Sequence, residues 1–151
     1  MRQRARAEDG AALVEFTMVL PILVILVMGI LWFGRALNYW IDETHLANEA
    51  ARFASVNKNP GPGATLQESV RAQADSSELK NGGTSSVPSA GQLCIDFPNG
   101  TSNVGDPVRV TMSVNFNWLP ILGLPVTQTT IRSSAVMRLE APPTNYSAGC
   151  A

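Results

Sequence analysis

From Ala11 to Gly34 the chain reads AALVEFTMVLPILVILVMGILWFG, and no other feature constrains its folding as strongly. At ~1.5 Å per residue, a helix of this length crosses a ~30 Å hydrocarbon core. Lipid offers the backbone no hydrogen-bond partners, so a spanning run must be helical. Pro21 lies inside it, where proline removes one backbone bond and favours a kink. No charged side chain occurs from Phe16 to Gly34, Arg35 closes the run, and Arg2, Arg4 and Arg6 precede it. Basic flanks stay on the cytoplasmic side. The expected topology is a single pass through a membrane, with the N-terminus cytoplasmic and the remainder outside. From about Asn38 onward only a modest core can be buried, so one small outer domain is expected.

Other readings of the run fit less well. A secretory signal has an apolar stretch of ~7–15 residues followed by a small-residue cleavage site, whereas here Trp32-Phe33-Gly34-Arg35 follows a longer run. A plain signal anchor accounts for the length and the arginines but leaves Glu15 unexplained. A carboxylate costs a few kcal/mol if it reaches the bilayer interior unpaired. Either Glu15 sits in the headgroup zone near the helix N-terminus, where negative charge is favoured, or it has a partner cation. Cutting after Gly10 would create one, because Ala11 would then carry a free α-amino group. Glu15 would be the fifth residue of the shortened chain, able to pair with the amine of a neighbouring subunit.

The pattern Gly10-Ala11-Ala12-Leu13-Val14-Glu15-Phe16 ahead of an apolar helix resembles the processing site of type IV pilins. The longer stretch GAALVEFTMVLPILVILVMGILWFGRAL is similar to the TadE-like family, minor pseudopilins of the tight-adherence (Tad/Flp) pilus. The segments Asn48–Ala54 and Ser133–Glu140 resemble that family too. The resemblance implies a leader of residues 1–10, removed after Gly10 by a prepilin peptidase so that the mature chain starts at Ala11. It also implies that Glu15 serves assembly or membrane extraction. The partners implied are the peptidase, other pilins and pseudopilins of the Tad system, and inner-membrane lipid. Glu8 and Asp9 depart from the basic residue common before the glycine in pilin leaders.

Beyond the transmembrane helix (11–34), residues 35–57 read as its continuation outside the membrane. Leu37, Trp40, Ile41, Thr44, Ala47, Ala51 and Ala54 recur at helical spacing, while Asp42, Glu43, Glu49 and Arg52 are free to face water. Pro60-Gly61-Pro62-Gly63 stops the helix. Residues 58–151 form the expected outer domain. Thr65–Leu79 reads as one short helix with a capping box, Thr65 and Glu68, and an apolar face of Leu66, Val70, Ala74 and Leu79. Leu93–Phe97 is a short strand, and Val108–Trp118 and Val126–Glu140 alternate as two long antiparallel strands. The tail after Pro142-Pro143 reads as irregular. The Trp118–Leu124 connection is either a loop folded on its own core or a contact surface. The expected fold is α+β: a long N-terminal transmembrane helix packed on a small antiparallel sheet, pilin-like, with a short extra helix.

Cys94 and Cys150 both fall on the outer side, where an even pair is usually bridged; free thiols are the alternative. Their spacing fits no metal or redox motif.

The chemistry-bearing motifs of enzymes are absent. A single histidine, His45, excludes HExxH and His-rich metal sites, no serine has a base partner that the sequence identifies, and there is no Walker loop or GxGxxG. Asp96 and Asp106 lack EF-hand spacing for calcium. With a formal net charge of −1, nothing suggests a nucleic-acid partner. Neither a cofactor nor a small-molecule substrate is expected, and no catalytic or metal-binding residue. The rival to the pseudopilin reading is an uncleaved, membrane-anchored periplasmic module that binds a partner protein or envelope polymer.

Overall fold

The computed structural model describes residues 2–61, 65–118 and 128–151, without the side chains of residues 2–9 and Ala11. The fold is α+β, as expected, and divides into two compact units, Met1–Arg35 and Ala36–Ala151. One helix, α1 (Arg2–Ser55), supplies the first unit and the opening of the second, and contains Pro21.

Within the first unit the large apolar side chains from Leu13 to Phe33 are exposed, except the half-buried Trp32. A window of this helix has mean hydropathy 2.6, which qualifies it by length and composition as a membrane span. At its end the Arg35 guanidinium stands 5.7 Å from the Trp32 ring centre.

In the second unit, α1 buries Ala36, Tyr39, Glu43, Leu46, Ala47, Ala50, Ala51 and Ala54. These positions recur at three- and four-residue steps, so they form one face. The alanines allow close approach, and Tyr39 meets Phe116 with ring centres 5.7 Å apart. Ala47, Ala51 and Ala54 are buried as expected from sequence, but the start of the expected face is corrected. Leu37, Trp40 and Ile41 are exposed, whereas Asp42 and Glu43 are buried. Two apolar stripes compete here, and the one carrying Tyr39, Leu46 and the small residues packs inward. Helix α1 ends at Ser55, with Asn57 in the left-handed region (φ 54). The Ser55 carbonyl accepts from the Glu140 and Ala141 N–H groups at 2.8 and 3.2 Å. Pro62 and Gly63 of the stop signal lie outside the described residues.

Two short helices follow, α2 (Leu66–Arg71) and α3 (Ser77–Asn81), in place of the single helix expected over Thr65–Leu79. The Thr65 hydroxyl caps α2 by accepting from the Glu68 N–H at 3.2 Å. The break lies where the Asp42 carboxylate accepts from the N–H groups of Asp75 (3.3 Å) and Ser76 (2.9 Å). These donors are satisfied from outside, so no continuous helical ladder is needed. Leu66, Val70, Ala74 and Leu79 are all buried, as the periodicity indicates.

The sheet comprises β1 (Gln92–Asp96), β2 (Pro107–Asn117), β3 (Gln128–Arg138) and β4 (Gly149–Cys150), in the order β3-β2-β1-β4. All pairings are antiparallel, and β2 and β3 run in register from Pro107↔Arg138 to Asn117↔Gln128. Val108, Val110, Met112, Val114 and Phe116 point into the core. On the opposite face Arg109 grips Asp96 through two nitrogens, the shorter contact being 2.8 Å. The tail expected to be irregular contains β4. Of the Trp118–Leu124 connection only Trp118 is described; it packs edge-on against Phe116 at 5.1 Å and donates to Thr129 Oγ1 at 3.0 Å. Residues 119–124 lie outside the description.

Candidate functional site

Gly10 lies within α1 and is exposed. A Cβ placed on it would meet nothing within 4 Å. Glycine inside a helix costs about 1 kcal/mol relative to alanine, so neither local stability nor packing within the chain calls for it. Ala11 is helical, and its side chain lies outside the description. Glu15 is exposed between Val14 and Phe16 and makes no ion pair among the described residues. Helical geometry places Ala11 and Glu15, four residues apart, on one face. Gly10 and Glu15, five apart, lie about 140° from each other around the axis.

The cysteines belong to the other unit and are bonded to each other. Leu93 and Ala151 exchange both backbone hydrogen bonds, at 2.9 and 3.1 Å. The next pair along, Cys94 and Cys150, is therefore non-hydrogen-bonded, the kind that brings opposing residues closest. Their Cα atoms are 4.0 Å apart. The tail leading to this bridge is tied down on its way. Asn57 Oδ1 accepts from the Thr144 and Asn145 N–H groups, and Gln67 Nε2 donates to the Ser147 carbonyl at 3.1 Å. The Tyr146 hydroxyl donates to the Ala54 carbonyl at 2.9 Å. Burial pushes that phenol up to about 12, so it remains a donor.

Glu43, missed in the sequence, is the least compensated polar group among the described residues. Both carboxyl oxygens are buried without a hydrogen-bond partner. Burial, and secondarily the charge of Asp42, pushes its pKa from 4.5 up to about 8. A carboxyl in this position holds its proton at neutral pH. The three- and four-residue spacing of Tyr39, Glu43, Leu46, Ala47 and Ala50 was the available signal, since it sets Glu43 on the inward face.

His45, Asp96 and Asp106 are each engaged singly. His45 is exposed, with Nδ1 3.8 Å from a Glu49 oxygen. Asp96 is held by Arg109. Asp106 accepts from the Asn103 N–H at 2.9 Å. Hydrogen bonds from the Thr101 side chain and the Asn103 backbone lower its pKa. Among the described residues no three His, Cys, Asp or Glu side chains gather as metal ligands.

Residues 10–52 match the family model described as TadE-like protein, consistent with a family associated with the Tad pilus. The match opens at Gly10, includes Glu15 and ends before the sheet. No curated protein and no solved structure matches the chain.

Proposed function

We propose that this chain, TadE-like over residues 10–52, is a minor pseudopilin of a Tad/Flp-type pilus. A prepilin peptidase removes residues 1–10, the mature chain starts at Ala11, and the subunit sits in the inner membrane with its sheet domain outside. Glu15 pairs with the Ala11 amine of a neighbouring subunit during assembly. The observation that carries this reading is the coincidence of the match with the residues the chemistry needs. A glycine that packing does not require precedes the apolar run of α1, whose one carboxylate lacks an ion-pair partner among the described residues. The Cys94–Cys150 bridge supports an oxidising outer compartment, and Arg2, Arg4 and Arg6 support a cytoplasmic N-terminus.

The test is the intact mass and N-terminal sequence of the protein extracted from its native membranes. A chain beginning at Ala11 is expected, and Gly10→Ala is expected to retain the leader. A chain beginning at Met1 or Arg2, or one processed normally in the Gly10→Ala variant, removes the peptidase step and favours the uncleaved anchor.

A further inference from the structure

Two of the chain's asparagines are followed by glycine, Asn81 and Asn99. The pairing has a chemical consequence. Glycine carries no side chain to shield its backbone nitrogen, so that nitrogen can reach the side-chain carbonyl carbon of the asparagine before it. Whether it does so depends on how the segment is held. Asn99-Gly100 lies between β1 and β2, in a turn that Pro98 favours. The Gly100 N–H donates to the Phe97 carbonyl at 2.9 Å. Pro98, Asn99, Gly100 and Thr101 are all exposed, and a Cβ placed on Gly100 would meet nothing within 4 Å. The Asn99 side chain has no hydrogen-bond partner among the described residues. One solvent-exposed backbone bond ties the reacting nitrogen, and such bonds open readily. Asn81-Gly82, at the end of α3, is held more firmly. The Gly82 N–H donates to the Glu78 carbonyl at 2.7 Å, and the Gly83 N–H donates to the Pro88 carbonyl at 3.2 Å. Gly82 also forms an antiparallel bridge with Ser89, and a Cβ placed on it would collide with the Ser89–Ala90 backbone. Ring closure at Asn81 would have to disrupt these contacts together.

We propose that Asn99 is a site of spontaneous deamidation and that the fold spares Asn81. Hydroxide removes the Gly100 amide proton, and the nitrogen attacks Cγ of Asn99. A C–N bond forms and closes a succinimide ring; the Cγ–Nδ2 bond breaks, and the nitrogen leaves as ammonia with a proton from water. A second water then opens the ring. Attack at Cγ breaks the new bond and gives aspartate. Attack at the main-chain carbonyl of Asn99 breaks the original peptide bond and gives isoaspartate, with the chain running on through the side chain. No oxidant or reductant takes part, and water is the one reactant consumed. The protein gains one negative charge. The turn lies outside both strands, so either product leaves the ladder from Gln92↔Ser113 to Asp96↔Arg109 in place.

The experiment incubates the purified full chain, folded or unfolded in urea, at mildly acidic and at mildly alkaline pH. Digestion under acidic conditions and peptide mapping by mass then follow each asparagine. In the folded chain the peptide carrying Asn99 is expected to take on the mass of an acid several-fold faster than the peptide carrying Asn81. It is expected to do so faster at alkaline pH and to separate into two forms, aspartate and isoaspartate. In urea the two peptides are expected to convert at similar rates, because the fold no longer distinguishes them. Asn99→Gln lengthens the side chain by one methylene, disfavours ring closure, and is expected to abolish the change at this position while the turn keeps its backbone bond. Equal rates at both sites in the folded chain, a faster Asn81, or an Asn99 that converts only in urea would each overturn the proposal.

Discussion

A carboxyl group that loses its water and gains no donor holds its proton, and Glu43 does so inside the sheet unit. Its pKa rises from 4.5 to about 8 on folding. Between those values the folded state carries a proton that the unfolded state has released, so stability falls as pH rises across that window. Below pH 4.5 both states are protonated and the effect vanishes; above about 8 the loss is complete. At ~1.4 kcal/mol per pKa unit, the loss is on the order of a few kcal/mol. Glu43→Met keeps the length of the side chain and removes the titration. Thermal unfolding is expected to show the variant more stable than the parent at pH 8, with the gap closing by pH 5. An equal gap at both pH values would mean that packing, not ionisation, governs this position.

Asp42, next to Glu43 in sequence, acts on an element and not only on itself. Its carboxylate accepts from two backbone N–H groups between α2 and α3, at 3.3 and 2.9 Å. Asp42→Ala leaves those donors without their partner, at a cost of about 1–3 kcal/mol. The Asp75 and Ser76 amides are expected to exchange hydrogen faster, while those of β2 stay protected. The C-terminal strand is a second case. With two residues, β4 has too short a ladder to persist alone, and the Cys94–Cys150 bond closes a loop with a sequence separation of 56. By the chain-entropy argument a loop of this size contributes up to about 4 kcal/mol. Cys94→Ser with Cys150→Ser is expected to lower the melting temperature and to release residues 144–151 to protease before the rest of the domain.

For the whole molecule, the proposed assembly turns on whether Glu15 has a cation to meet. Within the chain it makes no ion pair among the described residues, although it is surrounded by exposed apolar side chains. A carboxylate in that setting is tolerated when a neighbour neutralises it. Glu15→Ala is expected to leave processing after Gly10 intact and to sharply reduce incorporation into, or export by, the pilus machinery, measured as surface piliation. Normal piliation in that strain would remove the pairing from the mechanism and leave Glu15 as a headgroup-zone residue.

Local sequence by itself determined the long apolar helix, the N-cap at Thr65, and the inward rows Val108–Phe116 and Ala135–Leu139. These follow from spacing, because a helix face or strand face is a local property of the chain. Chemistry by itself singled out Gly10, Glu15 and the Cys94–Cys150 pair. Tertiary structure alone decided which side of α1 the sheet would cover. Leu37, Trp40 and Ile41 are as apolar as Tyr39 and Leu46, so composition favours neither side. The choice went to the side carrying Tyr39, Leu46 and the buried alanines, even though it carried Glu43 inward. It also turned Asp42 to where it could split an expected helix in two. Such outcomes depend on the shape of the partner surface, which no window of local sequence contains.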